Sequence, residues 1–256
     1  MHFPIDWYFY PILFCASIIA GLMDTVAGGG GLITLPCLIL TGMDPVTALG
    51  TNKLQSSFGS FTASYKFTRA GLVDIRTAMP GIVLTMIGAV AGTIVVQNVS
   101  PDLLKMLIPW LLLGILVYVL VSPKLGDADV HPRMSPLPFY LVFGLLLGFY
   151  DGFFGPGTGS FWVIAIAMLL GYNLTKGTAY TKVMNFTSNI SSLAVFLVGG
   201  KVIFIVGLAM GAGQILGAQI GAGLVIKRGA AFIRPIFITM VALMTLKLFY
   251  DIYFGQ

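Results

Sequence analysis

The sequence predicts an all-α polytopic membrane protein made of two inverted-topology repeats. Each repeat has about five helical segments, with short glycine-broken helices near the membrane midplane. Three observations lead there: a shortage of charge, long charge-free runs, and an internal repeat whose equivalent loops differ in charge. Of 256 residues, 57% are hydrophobic and only 9% charged, against the roughly 25% charged residues of a soluble domain. Mean hydropathy is +0.96. The stretches 77–101 and 202–226 each run 25 residues without a charge, 152–175 runs 24 and 25–43 runs 19. About 20 apolar residues span a bilayer core as helix, so ten segments use most of the chain and leave no soluble domain.

In order, the apolar segments are 7–27, 29–41, 45–65, 77–97, 101–122, 137–153, 158–171, 174–199, 202–226 and 232–254. The start, Met1-His-Phe-Pro-Ile-Asp-Trp7, has no basic n-region and no small-residue cleavage site, so it does not read as a cleaved signal. Asp44-Pro45, Ser100-Pro101 and Ser135-Pro136 each place a capping side chain before a first-turn proline. Asn173 stands in the same capping place before 174–199. Segments 29–41 and 158–171 are short for a full crossing. Each follows a glycine run that an uninterrupted helix would not choose.

A shift of 127 residues lays Gly21, Asp24, Gly28 and Gly30 on Gly148, Asp151, Gly155 and Gly157. After a two-residue insertion the shift is 129, and Gly42, Lys53, Phe67, Gly71, Gly88, Ala89 and Gly92 meet Gly171, Lys182, Phe196, Gly200, Gly217, Ala218 and Gly221. The matches fall on punctuation and charge rather than on abundant leucines. They divide the chain into a first membrane repeat, 1–122, a polar linker, 123–136, and a second repeat, 137–256. Loop 66–76 carries Lys66, Arg69 and Arg76, while its counterpart near 199–201 holds only Lys201. Loop 227–234 carries Lys227, Arg228 and Arg234, while its counterpart near 98–105 holds one Lys and one Asp. Basic loops favour the cytoplasm, so equivalent loops are expected on opposite sides. Such inverted repeats are a common plan for secondary transporters.

Composition removes several chemistries. All nine acidic residues are Asp, and the histidines are His2 and His131. That excludes an HExxH zinc site and a Glu-pair hydrolase. No P-loop is present, and no cofactor or metal site is expected. Cys15 and Cys37 lie in apolar segments and read as small core residues. The net charge of +5 is spread over short loops and single helix positions, a pattern of topology and ligand chemistry that argues against nucleic acid.

Each half holds one intramembrane acid and one intramembrane lysine. Lys53 is nine residues past Asp44 and Lys182 nine past Asn173, roughly 13 Å down their helices and close to the middle of a ~30 Å core. A charge there costs about 2.5–3.5 kcal/mol on insertion scales. Two readings compete: a cationic binding point for an anion, or structural pairs of Lys53 with Asp24 and Lys182 with Asp151. Thr178, Lys182, Asn185, Asn189 and Ser192 share one helix face, echoed by Asn52, Lys53, Ser56 and Ser60. A polar stripe of this kind can also be interhelical glue. Gly88-xxx-Gly92 and Gly217-xxx-Gly221 read as helix packing. The runs Asp24-Thr-Val-Ala-Gly28-Gly-Gly-Gly31 and Asp151-Gly-Phe-Phe-Gly155-Pro-Gly-Thr-Gly159 would break helix and aim helix N-termini at a ligand. Asp24 and Asp151 could cap the broken helices, pair with the lysines, or carry a coupling proton.

These residues resemble a known family. Gly21-xx-Asp24-xxx-Gly28-Gly-Gly-Gly-xxxx-Pro36, then Ala48-Leu-Gly-Thr-Asn-Lys-Leu54, then Gly88-Ala-xx-Gly92, are similar to the sulfite exporter TauE/SafE family, also grouped as toluene sulfonate uptake permeases. Gly50-Thr-Asn-Lys53 is typical of one subgroup of membrane transporters within it. The resemblance implies proton-linked or gradient-driven movement of small sulfur-containing anions, such as sulfite or organosulfonates, across a bacterial inner membrane.

The expected function is therefore a secondary transporter of small anions, working by alternating access. Lys53 and Lys182 would supply charge, and Asn52, Gln55, Ser56, Thr181 and Asn185 hydrogen bonds. Gly28, Gly29, Gly30, Gly31, Gly155, Gly157, Thr158 and Gly159 would supply backbone amides, and Asp24 or Asp151 the proton site. An anion channel and a cation or proton-coupled carrier centred on the two aspartates are the alternatives. An intramembrane enzyme would need a nucleophile with a base in reach. The membrane core offers no His, and no Gly-x-Ser-x-Gly elbow accompanies a Ser–Lys pair. The expected partners are a small anion and the lipid bilayer, and the Gly-xxx-Gly faces permit a homodimer without requiring one.

Overall fold

A computed structural model describes residues 5–121, 128–228 and 250. The last expected segment, 232–254, lies outside the described residues apart from Tyr250. Among the described residues the regular structure is helical throughout. The helices are α1 (Phe9–Ala27), α2 (Gly31–Leu40), α3 (Pro45–Arg69), α4 (Ile75–Gln97), α5 (Pro101–Val121), α6 (Pro136–Phe153), α7 (Thr158–Leu170), α8 (Leu174–Val198) and α9 (Phe204–Arg228). Wider π-type turns occupy Tyr140–Gly144 of α6 and Ile166–Leu170 of α7.

The caps mostly follow the sequence. Asp44 accepts from Thr47 N at 3.1 Å, Asn173 from Lys176 N at 2.9 Å and Ser100 from Leu103 N at 3.4 Å. Ser135 departs from expectation, making no side-chain cap. A capping hydroxyl bonds the second or third amide of the helix, and here the third residue is Pro138, which has none. Asp74 starts α4 two residues earlier than expected by accepting from Arg76 N at 2.9 Å.

Among the described residues, α1, α4, α6 and α9 are long and apolar enough to cross a bilayer, while α2 and α7 are apolar but short. The 25-residue helices α3 and α8 are as long but far more polar, because they occupy the middle of the bundle. Helix α1 packs on α9 and α4 on α6, while α3 lies against both α9 and α8, and α8 also against α4. Bare backbone makes these contacts close. A methyl on Gly88 would meet Leu145 O, and one on Gly217 would meet Ile18 O. Gly92 and Gly221 face Phe149 O and Leu22 O in the same way. Ile18 and Leu22 are the repeat equivalents of Leu145 and Phe149, so the two glycine pairs do matching jobs as small-residue packing.

Helices α3 and α8 run antiparallel. Gly50 near the start of α3 abuts Lys201 O just past the end of α8, and Ser60 meets Asn189 at 3.4 Å near the middle. Tyr180 near the start of α8 reaches Asp74 N at 3.2 Å, beyond the end of α3. Helices α3 and α9 run parallel, with Leu54 beside Gly207, Phe58 beside Gly211, and Lys66 Nζ donating to Gln219 O at 3.0 Å. The ends bearing Lys66 and Lys227 therefore lie on the same side of the bundle, and Lys201 lies at the opposite end of α3.

Candidate functional site: two crossed ion pairs between broken helices

Both glycine runs break helix as their composition requires. Helix α1 ends at Gly28, whose φ of 75° is left-handed and whose N–H returns to Asp24 O at 2.8 Å. In the second half Gly155 and Gly157 take φ of 97° and 82°, conformations costly for any residue with a Cβ. The two breaks touch: a methyl on Gly28 would fall 2.6 Å from Gly159 Cα, and Ser160 Oγ donates to Ala27 O at 2.7 Å. The end of α1 thus meets the first turn of α7, and Gly31 at the start of α2 lies against Pro156, beside the middle of α3 and α8.

The lysines are paired, and the pairing differs from the within-half reading. Lys53 binds Asp151 Oδ1 at 2.7 Å, and Lys182 binds Asp24 Oδ2 at 2.8 Å. Each pair joins the two halves. Antiparallel α3 and α8 carry each lysine past its own half's helix break to that of the other. Burial is deep, with side-chain exposures of 2% and 5% in the first pair and 0% and 22% in the second.

Between the breaks lies a cavity of about 20 Å³, room for roughly one water molecule. Asp24, Gly28, Gly31, Asn52, Lys53, Ser56, Asp151, Gly155, Gly157, Thr158, Gly159, Asn185 and Asn189 line it. Most of the residues expected at a site are thereby brought together. Five expected residues stand behind this lining. Lys182 is screened by the Asp24 carboxylate. Gly30 N donates to Asp24 Oδ1 at 3.2 Å, beside Gly29. Gln55 Nε2 donates to Asn52 Oδ1 at 2.7 Å, and Thr181 is fully buried.

Two contributors were missed. Ser188 Oγ donates to Asp151 Oδ2, and Thr34 Oγ1 donates to Asn52 Oδ1 at 2.6 Å. Ser188 falls three residues after Asn185, within the helical spacing of the polar face, so the periodicity could have found it. Thr34 sits in an apolar short helix and carried no signal. Several buried polar atoms have no hydrogen-bond partner, among them Thr178 Oγ1, Thr181 Oγ1, Asn185 Oδ1, Ser192 Oγ and Gln55 Oε1.

Membrane-length helices around a small polar cavity, built where two helices break and meet, define a membrane transport protein. The chain belongs to the sulfite exporter TauE/SafE family, whose model matches residues 13–248. It is 48% identical to a "Probable membrane transporter protein" of Haemophilus influenzae, over 94% of each chain. It is 45% identical to "Probable membrane transporter protein YfcA" of Escherichia coli K12, over 94% of this chain and 89% of that one. "Probable membrane transporter protein ORF9" of a Sinorhizobium species is 43% identical over 93% and 92%. The chain is a multi-pass bacterial inner-membrane transporter and not an enzyme.

Proposed function

We propose that the protein is a secondary transporter of small anions, sulfite or organosulfonates being the favoured class, working by alternating access. The observation that carries this reading is the pair of buried lysines, each held by a carboxylate of the opposite half beside the central cavity. Stability alone does not account for them. Replacing a buried ion pair by apolar residues of similar volume is often neutral, or stabilising by about 1–4 kcal/mol. Two ammonium groups beside two helix N-termini suit an anion. The family's own description, sulfite exporter, favours a sulfur oxyanion.

Alternating access rests on two further features. The cavity is too small for a sulfonate, so loading requires the walls to part. Both ion pairs cross between the halves, so rocking one half against the other alters both at once. The antiparallel α3 and α8, together with Lys66 and Lys227 at one end and Lys201 at the other, support an inverted repeat with its basic loops on one side. The repeat boundaries proposed remain those of the sequence shift, 1–122 and 137–256. The proton belongs to the same site, because the two lysines and two aspartates sum to no net charge and an anion enters most easily with a proton.

The test is thermal stabilisation of purified protein by sulfite, thiosulfate, sulfoacetate, taurine, sulfate, acetate and chloride. A ligand at about 100 times its dissociation constant adds roughly 2.7 kcal/mol. The proposal expects a sulfur anion to stabilise the wild type and to lose its effect in Lys182→Ala. Stabilisation by Na⁺ or a pH step, with none by any anion, would overturn it in favour of a carrier centred on the aspartates.

A further inference from the structure

The two ion pairs are equivalent by repeat but not by surroundings. Lys53 Nζ donates to Asp151 O at 2.6 Å, Asp151 Oδ1 at 2.7 Å and Asn189 Oδ1 at 3.3 Å, and Ser188 occupies the other carboxylate oxygen. Lys182 Nζ donates to Asp24 Oδ2 alone among the described residues. The sequence explains the difference. The repeat equivalent of Ser188 is Gly59, which has no hydroxyl to give Asp24. The equivalent of Asn189 is Ser60, whose short hydroxyl turns back to Ser56 O at 2.7 Å. The carbonyl of Asp24 is taken by Gly28 N, whereas the carbonyl of Asp151 is open to Lys53.

Asp24 is also the exposed member, at 22% against 5% for Asp151, and it lines the cavity in front of Lys182. Its carboxylate is held by one ammonium and by Gly30 N, at the start of α2. Those are the donors an external oxyanion would use. Thr178 Oγ1, Thr181 Oγ1 and Asn185 Oδ1, all within about a turn of Lys182, are buried without partners. Of these, Asn185 lines the cavity, so its Oδ1 is an unfilled acceptor there.

We infer that Asp24 is a built-in competitor for the anion at Lys182, so that Lys182–Asp24 is the pair that anion binding exchanges while Lys53–Asp151 stays paired in that step. This rests on the anion reading of the site. A monoanion takes the place of the carboxylate on Lys182 as Asp24 takes up one proton, so one anion and one proton bind together and the local charge is unchanged. Among the described residues, the other ionisable groups facing Asp24 across the cavity are Lys53 and Asp151, which are paired with each other. Tyr150, next to Asp151, has its hydroxyl committed to Pro156 O at 2.8 Å.

Two measurements at neutral pH test this, using the monoanions methanesulfonate, isethionate and acetate as probes. First, proton uptake on anion binding is followed in weakly buffered wild-type protein, which avoids any variant that fails to fold. Uptake approaching one proton per anion is expected. Second, Asp24→Asn is titrated with the same anions. It should bind them about tenfold or more tightly, the factor lost when an internal competitor fills a site nine-tenths of the time. Its proton uptake should vanish. Anion binding without proton uptake in the wild type, or Asp24→Asn binding no tighter, overturns the competitor while leaving the anion site standing. No binding of any probe by either protein removes both.

Discussion

Removing Lys53 should be among the most damaging single changes in the molecule, and removing its partner as well should repair much of the damage. Lys53→Met leaves the Asp151 carboxylate, 5% exposed, with Ser188 as its remaining side-chain partner. Breaking a buried pair from one side costs about 3–5 kcal/mol, because an uncompensated charge stays in a water-poor interior. For a chain of this size 1 kcal/mol moves the melting temperature by roughly 2–4 °C, so a fall of about 6–20 °C is expected. Asp151→Asn should cost less, about 1.5–3 kcal/mol. Lys53 then keeps the backbone carbonyl and Asn189 as acceptors. In Lys53→Met/Asp151→Asn no charge remains, and the loss should be smaller than that of Lys53→Met alone. The assay is thermal unfolding in mild detergent, followed by tryptophan fluorescence and read as a double-mutant cycle. A double variant destabilised by the sum of the two singles would refute the reasoning, since the groups would not then be interacting.

Other expectations follow from the same geometry. Ser188→Ala should lower stability by about 1.5–3 kcal/mol through loss of a hydrogen bond to a buried carboxylate, measurable in the same melt. Gly28→Ala should be poorly tolerated: its left-handed φ costs a side chain about 1–2 kcal/mol, and its methyl would overlap Gly159. Reduced yield of folded protein in detergent would show it. Gly217→Leu should prise α9 from α1 as Gly88→Leu prises α4 from α6, both lowering the melting temperature. Cysteines placed at Gly71 and Lys227 should react with a membrane-impermeant thiol reagent from one face, and a cysteine at Gly200 from the other. Labelling of all three from one face would contradict the inverted repeat.

Much of this was legible in the sequence, for identifiable reasons. Charge-free runs marked the helices because a bilayer tolerates little else, and the glycine runs marked the breaks because few other residues sit at positive φ. Lys53 and Lys182 stood out because an ammonium in an apolar segment needs a partner. The partner itself was not legible. Within-half and crossed pairing both obey the repeat, and only the antiparallel setting of α3 against α8 decides between them, across 98 and 158 residues of chain. Thr34 was hidden because its bond to Asn52 depends on how α2 packs on α3. The failure of Ser135 as a cap was readable in retrospect from Pro138, three residues on.

The most direct test of the central claim is counterflow in proteoliposomes with a labelled anion from the stabilising set. Vesicles loaded with unlabelled anion should take up label transiently against its gradient, with saturation, and Lys182→Ala should abolish the overshoot. Label that only equilibrates, at a rate rising without saturation and unaffected by anion on the far side, would mark a channel and contradict alternating access.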